Sequence, residues 1–160
     1  MADDNIRRKI EQAEFHLAKL REDESQLAVE SHLSGFMTAA RSAVMYVHEW
    51  QLANGRAVHK GDWTRINAWE ATLPAADHDG WRAVVKLRNT DIHEEPVVPV
   101  KAWMGGLLGG LLGDLLGDLL GDSPAQTVAH PTIGNPVKVI EIAEATLRVV
   151  KRLLADYKTL

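Results

Sequence analysis

Hydrophobic side chains recur at helical spacing along most of this chain. From Asp4 to Arg21 they fall three or four residues apart, which predicts an amphipathic helix. A longer run from Ser25 to Gly55 carries a similar stripe, and its final Asn-Gly pair is typical of a helix C-terminus. The apolar positions are Ile6, Ile10, Ala13, Leu17 and Leu20 in the first helix, and Leu33, Phe36, Met37, Ala40, Val44 and Val47 in the second.

Three more helices are predicted after the Asn-Gly pair. A short helix starts at Asp62 as N-cap and stops before Pro74, and the next runs through the stretch from Asp79 to Pro96. A terminal helix starts with Asn135 as N-cap and Pro136 at its first position. The apolar positions are Trp63, Ile66 and Trp69, then Trp81, Val84, Val85, Leu87 and Ile92, and finally Val139, Ile142, Ala143, Leu147, Val150, Leu153 and Leu154.

A repeat of leucine pairs, glycine and aspartate with a period of four lies at about 104–122. Its glycines oppose regular structure, since each costs about 1 kcal/mol within a helix, and its aspartates oppose a membrane span. The β-branched flanks, Val97–Trp103 and Thr127–Ile133, favour a small β-hairpin with the repeat at its tip. The pattern therefore predicts one all-α domain over residues 1–160, an up-and-down helical bundle with a low-complexity insertion.

Composition narrows the possible chemistry. The chain has 160 residues, 46% of them apolar, which is enough for one buried core. The net charge of −4 gives no overall attraction to nucleic acid, so phosphate binding requires a local basic cluster. Cysteine is absent, which excludes disulfides and thiolate chemistry, and the charged N-terminal sequence leads us to expect a cytoplasmic protein.

One arginine stands among the apolar positions of the fourth predicted helix. At about 100° per residue, Arg88 falls in the middle of the apolar arc, where a charge is costly unless it is paired or faces a cleft or an interface. A separate stripe contains Arg82, Lys86, Asn89 and His93, which together form a local patch able to hold a phosphate. His93 is expected in the last helical turn, where the helix dipole favours its charged form.

The segment "RNTDIH" resembles the active-site motif of the HEPN superfamily, the higher eukaryotes and prokaryotes nucleotide-binding domains. Its ribonuclease members carry an arginine, a polar residue and a histidine a few positions later, which Arg88, Asn89 and His93 match. The long helix "HLSGFMTAARSAVMYVHEW" is similar to the central helix of that family. The likeness covers nearly all of the chain except the glycine-leucine insertion.

The resemblance implies a helical homodimer that cleaves RNA without a metal or other cofactor. The RNA 2′-hydroxyl would attack the adjacent phosphate, with His93 as general acid or base, Arg88 stabilising the phosphoryl oxygens and Asn89 orienting a group by hydrogen bonding. Arg82 and Lys86 would bind the substrate. Because Arg88 and His93 point about 140° apart on an ideal helix, a composite site across two subunits is expected. A toxin or defence role, with a protein antitoxin as partner, is a further hypothesis.

Two other functions fit the same sequence. A non-catalytic dimer of this type would bind nucleotide, RNA or a protein through the same patch. An assembly scaffold would instead use the glycine-leucine repeat. No metal site is expected at Asp77–Asp79, which suits a helix cap, and Arg41 is expected to pack and pair. Core or interface positions are expected for all five tryptophans, Trp50, Trp63, Trp69, Trp81 and Trp103.

Overall fold

The computed structural model describes residues 2–22, 25–93, 100–101, 126–129 and 136–160. Within these ranges the chain forms five α-helices and three short β-strands. The helices are α1 (Ala2–Glu22), α2 (Gln26–Ala53), α3 (Thr64–Glu70), α4 (Ala75–His93) and α5 (Val139–Asp156). The strands are β1 (Val100–Lys101), β2 (Gln126–Ala129) and β3 (Pro136–Lys138). The prediction of a helical bundle is therefore confirmed.

The apolar stripes of α1 and α2 form the centre of the core. The two helices pack along one another, and α5 contacts both of them as well as α4. Each apolar position predicted for α1 and α2 is buried, and Phe36 and Val47 are completely so. Burying a side chain of this size stabilises the fold by about 1.5–3 kcal/mol. The bundle is held together mainly by these faces.

Hydrogen bonds to polar side chains fix both ends of α2. The Ser25 hydroxyl accepts a hydrogen bond from the Ala28 amide at 3.2 Å, as expected of an N-cap. At the other end the Asn54 side chain donates to the Trp50 carbonyl at 2.8 Å, and Gly55 has a φ of +67°. Only glycine adopts that left-handed conformation without strain, so the predicted helix end is confirmed.

Asp62 organises the connection between α2 and α3. One carboxylate oxygen accepts the Val58 amide at 2.9 Å, and the other accepts the Thr64 amide at 3.2 Å. These backbone donors, with Val58 the strongest, lower the pKa of the Asp62 carboxyl to about 2. Helix α3 itself begins at Thr64, so Asp62 lies one residue before the N-cap position but still satisfies a first-turn amide.

Helix α4 begins one turn earlier than the sequence indicates. It starts at Ala75, where the Pro74 carbonyl accepts hydrogen bonds from the amides of Asp77 and His78 at 3.0 and 2.9 Å. Gly80 therefore lies inside the helix, although the sequence pattern suggests a helix start beside it. The glycine allows α4 and α5 to approach closely, and the Thr146 hydroxyl donates to the Gly80 carbonyl across this contact at 3.3 Å.

Replacing Gly80 by alanine is expected to lower the free energy of unfolding by about 1 kcal/mol. A Cβ at this position would lie 2.6 Å from the Cβ of Ala145, so the two helix backbones would have to separate. That strain, about 1–3 kcal/mol, exceeds the gain of about 1 kcal/mol from higher helix propensity. Urea unfolding of Gly80→Ala measures the difference.

The matched control for this contact is the double variant Gly80→Ala, Ala145→Gly. Removing the Cβ of residue 145 makes room for the new Cβ of residue 80, so part of the lost stability should be recovered. The comparison must first subtract the helix-propensity cost of the glycine introduced into α5. Equal or higher stability of the single variant would contradict the close approach of α4 and α5.

The three strands form one antiparallel sheet in the order β1-β2-β3. Val100 pairs with Thr127, inside the two flanks for which the sequence predicts a hairpin, and Lys101 pairs with Gln126, one residue before the second flank. Strand β3 pairs Val137 with Val128 and leads directly into α5. The predicted start of the terminal helix at Pro136 is therefore wrong, because pairing with β2 holds residues 136–138 extended and the helix begins at Val139.

Some predictions lie outside the described residues. These are the glycine-leucine insertion at about 104–122, Trp103, and most of the two predicted hairpin flanks. In the described ranges, no helix has both the length and the apolar character needed to cross a membrane. Among the tryptophans described, Trp81 and Trp69 are buried, while Trp50 and Trp63 are partly buried against the core.

Candidate functional site

Arg88 lies in the last two turns of α4, on the helix that carries the buried Trp81 and Val84. Its side chain is half-buried, as its position on the apolar arc predicts. The guanidinium Nε is fully buried and has no hydrogen-bond acceptor in the part of the chain that the structure describes. A buried guanidinium donor without an acceptor is unusual, since such groups are normally paired.

A second arginine from α2 lies close to Arg88. Burial lowers the pKa of the Arg41 guanidinium, and the positive charge of Arg88 lowers that pKa further. The nearby carboxylate of Glu70 opposes both effects. Arginine stays protonated in proteins, so two positive charges are kept together in a partly desolvated region where α2 and α4 pack.

Glu70 is the buried carboxylate of this region. It is only 7% exposed, and one of its oxygens accepts a hydrogen bond from the Trp81 indole Nε1 at 2.8 Å. The other oxygen lies 3.7 Å from the Arg82 guanidinium. The Glu70 carboxylate therefore lies near two positive charges, those of Arg41 and Arg82, and also accepts the indole hydrogen bond. One negative charge cannot neutralise both arginines.

Trp63 and His48 support Arg41 from one side. The Arg41 guanidinium carbon lies 4.9 Å from the centre of the Trp63 ring, which is a cation–π distance. The His48 ring stacks on the same tryptophan, with centroids 4.1 Å apart. His48 Nε2 is 2.9 Å from the Lys60 carbonyl and therefore donates its proton to it. This stack gives Arg41 a defined position.

The predicted substrate-binding residues lie on the exposed side of α4. Arg82, Lys86 and Asn89 are all exposed, as expected for positions spaced four and three residues apart. Helix α4 therefore carries an exposed polar stripe and, on a different side, the half-buried Arg88.

His93 is the last residue of α4. Its backbone is helical, and its side chain lies outside the described part of the structure. The predicted position in the final helical turn is therefore confirmed, while the role predicted for the imidazole stays a prediction.

The arrangement is suited to holding an oxyanion. Two guanidiniums, one with a buried Nε–H that has no acceptor among the described residues, provide positive charge that suits a phosphate or carboxylate. The exposed cations of α4 add attraction at the edge of the site. An anion bound near both guanidiniums would reduce the repulsion between Arg41 and Arg88.

Sequence reasoning missed Glu70 and underestimated Arg41. Glu70 lies four residues after Ile66 and one after Trp69, so it shares the inward face of α3. A carboxylate at an inward helical position is the signal that would have indicated a buried partner for a cation. The closeness of Arg41 to Arg88 depends on the packing of α2 against α4, for which the sequence holds no local signal.

The acidic residues before Gly80 lie beside basic side chains. Asp77 accepts two hydrogen bonds from the Arg148 guanidinium, at 2.7 and 2.9 Å, and His78 Nδ1 lies 3.7 Å from the Asp79 carboxylate. Among the described residues, no group of three or more histidine, aspartate or glutamate side chains is arranged to hold a metal ion. Asp77 therefore joins α4 to α5 by an ion pair.

Comparisons with protein-family models, curated proteins and solved structures find no match to this chain. The resemblance to the HEPN superfamily thus stays a prediction from the sequence motif formed by Arg88, Asn89 and His93.

Proposed function

We propose that this protein is an RNA-cleaving enzyme of HEPN type that works without a metal ion. The observation that carries the proposal is the Arg88 guanidinium, half-buried beside Arg41, with a buried Nε that has no acceptor among the described residues. The positive charge of Arg88 disfavours the charged form of Arg41, and a phosphate bound near both guanidiniums would offset that repulsion. The RNA backbone presents such a group at every nucleotide.

The proposed reaction is an intramolecular transfer within the RNA. The 2′-hydroxyl oxygen forms a bond to the adjacent phosphorus while the bond from phosphorus to the 5′-oxygen of the next nucleotide breaks. A base takes the proton of the 2′-hydroxyl, and an acid gives a proton to the departing 5′-oxygen. The products are a 2′,3′-cyclic phosphate and a free 5′-hydroxyl, so no water or metal enters this step.

His93 is the residue proposed to move a proton in this reaction. It follows Arg88 by five positions and is the last residue of α4. Histidine is the side chain most often used for proton transfer in enzymes. Arg88 and Arg41 would hold the two non-bridging phosphoryl oxygens, whose negative charge grows in the transition state. Asn89 would orient the phosphate or His93. Arg82 and Lys86 are exposed and would bind flanking phosphates.

A homodimer is part of the proposal. Arg88 and His93 diverge by about 140° on an ideal helix, so one subunit does not readily direct both at the same phosphate. A two-fold axis near the end of α4 would allow the histidine of one subunit to meet the arginines of the other.

The test is incubation of the purified protein with mixed RNA in excess chelator, with His93→Ala as the control variant. We expect wild-type protein to release fragments with 2′,3′-cyclic phosphate ends, and His93→Ala to bind RNA without cleaving it. Cleavage that survives His93→Ala would overturn the assignment of that residue. Cleavage that requires an added metal ion would overturn the proposed chemistry.

Two alternatives remain distinguishable in the same experiment. RNA binding without cleavage, lost in Arg88→Ala, would indicate a non-catalytic phosphate-binding dimer. No RNA binding, together with a change in molar mass when residues 105–121 are deleted, would favour an assembly scaffold.

A further inference from the structure

Two histidines meet on the side of the bundle formed by α1 and α2. His16 projects from α1 and His32 from α2, and their Nδ1 atoms are 3.1 Å apart. Both side chains are half-buried, so they are held in place and still reach solvent. His32 and Arg41 are nine residues apart on α2 and point in opposite directions, about 180° around the helix. The pair is thus separate from the proposed RNA site.

The surroundings of His16 fix its ring. A Cβ on Gly35 would lie 2.5 Å from His16 Nε2 and 2.8 Å from Nδ1, so the imidazole occupies space that only glycine leaves open. Phe15 makes edge contacts with both histidine rings, at centroid distances of 5.4 and 6.2 Å. The two imidazoles are therefore positioned by Gly35 beneath one ring and Phe15 beside both.

At this separation one imidazole donates a hydrogen bond to the other, and the same separation suits two nitrogen ligands on one metal ion once that proton is displaced. Imidazole nitrogens bind transition metals at roughly 2.0–2.1 Å, which places two neighbouring ligands about 3 Å apart. We infer that His16 and His32 form a binding site for a divalent transition metal, with Cu²⁺ bound most tightly. Neutral imidazole is a preferred ligand of Cu²⁺, and Cu²⁺ ranks highest in affinity among the divalent metals of this series.

The site is open on one side. A groove beside His16 is lined also by Gln12, Ser34 and Thr38, which gives an ion access from solvent. No third histidine, aspartate or glutamate joins the pair within the described residues. The remaining coordination positions are therefore left to water or to an external ligand, as in an exchangeable metal site rather than a closed structural one. A bound ion would link α1 to α2.

The experiment is titration of the metal-free full-length protein with Cu²⁺ in a non-coordinating buffer, followed by calorimetry and by electron paramagnetic resonance. We expect about one tight Cu²⁺ per chain with nitrogen hyperfine structure, and affinity lowered at least about tenfold in His16→Ala and in His32→Ala. His78→Ala is the matched control, since it also removes one partly exposed histidine, and it should bind as wild type does.

Gly35→Ala is a second test variant, which disturbs the position of His16 while keeping both histidines. The added Cβ must displace the His16 ring, so Cu²⁺ affinity should fall although no ligand has been removed. Wild-type affinity in His16→Ala or His32→Ala would overturn the inference, as would the absence of a nitrogen-ligated Cu²⁺ in the wild-type spectrum. Circular dichroism of each variant verifies that α1 and α2 remain folded.

Discussion

Arg88→Ala is expected to reduce the rate of RNA cleavage by about 10²–10³-fold, the usual cost of removing one positioned donor from a transition-state oxyanion. Arg88 has the features of such a donor, because its Nε is buried without an acceptor in the described ranges and its charge faces Arg41. Cleavage is measured under single-turnover conditions, which separate the chemical step from RNA binding.

The stability of the same variant distinguishes function from packing. If Arg88 serves an anion, Arg88→Ala removes a repulsion and should leave the urea midpoint unchanged or raised. If it is a structural residue, the midpoint should fall by several tenths of a molar, at the roughly 1–3 kcal/mol per molar typical of urea. A stable variant with full activity would exclude Arg88 from the site.

Two control substitutions accompany this measurement. Arg8→Ala removes an exposed arginine from α1 and changes the net charge equally, so it should leave both rate and stability near wild type. Arg88→Lys keeps the positive charge but loses the planar guanidinium donors. Compared with Arg88→Ala, it should restore RNA affinity more fully than it restores the rate of cleavage.

Glu70→Ala is expected to lower the free energy of unfolding by about 3 kcal/mol, which is the typical cost of removing one member of a buried charged network. The change leaves the Trp81 indole N–H without its acceptor and removes the negative charge near Arg41. The exposed Arg82 loses less, because solvent already screens it. Equilibrium unfolding in urea measures the loss.

Glu70→Gln separates the two parts of this effect. The amide oxygen can still accept the hydrogen bond from Trp81, whereas the negative charge is gone, so an intermediate loss is expected. Glu144→Ala is the matched surface control, because its carboxylate pairs with Arg21 at 2.6 Å while the side chain is 41% exposed. It should cost less than about 1 kcal/mol. Equal losses for Glu144→Ala and Glu70→Ala would contradict the buried network.

Local signals in the sequence account for most helix positions and fail where distant segments meet. The Asn54-Gly55 end of α2 is encoded locally, and it was predicted correctly. Asn135-Pro136 carries an equally good helix-start signal, but pairing of β3 with β2 overrides it and delays α5 to Val139. In the sequence Gly80 resembles a helix boundary. In the structure it lies inside α4 and allows α5 to approach closely, a role that depends on the packing of a distant segment.

The candidate site shows the same division. Helical periodicity was enough to predict that Arg88 faces inward and that Arg82, Lys86 and Asn89 face solvent. It could not predict the closeness of Arg41 and Arg88, because that depends on how α2 crosses α4. Likewise, His16 and His32 are distant in sequence, and the Nδ1 separation of 3.1 Å arises only from the packing of α1 on α2.

The pairing of Lys101 with Gln126 has a consequence for how this gene can change over time. The segment that contains the four-residue repeat enters and leaves the fold at two directly opposed positions. Units can therefore be gained or lost by replication slippage without shifting the register of the sheet or the start of α5. In general, doubling the length of a flexible connection between two fixed points costs only about 0.6 kcal/mol in closure entropy. Relatives of this protein should differ in repeat number far more than in the length of any helix.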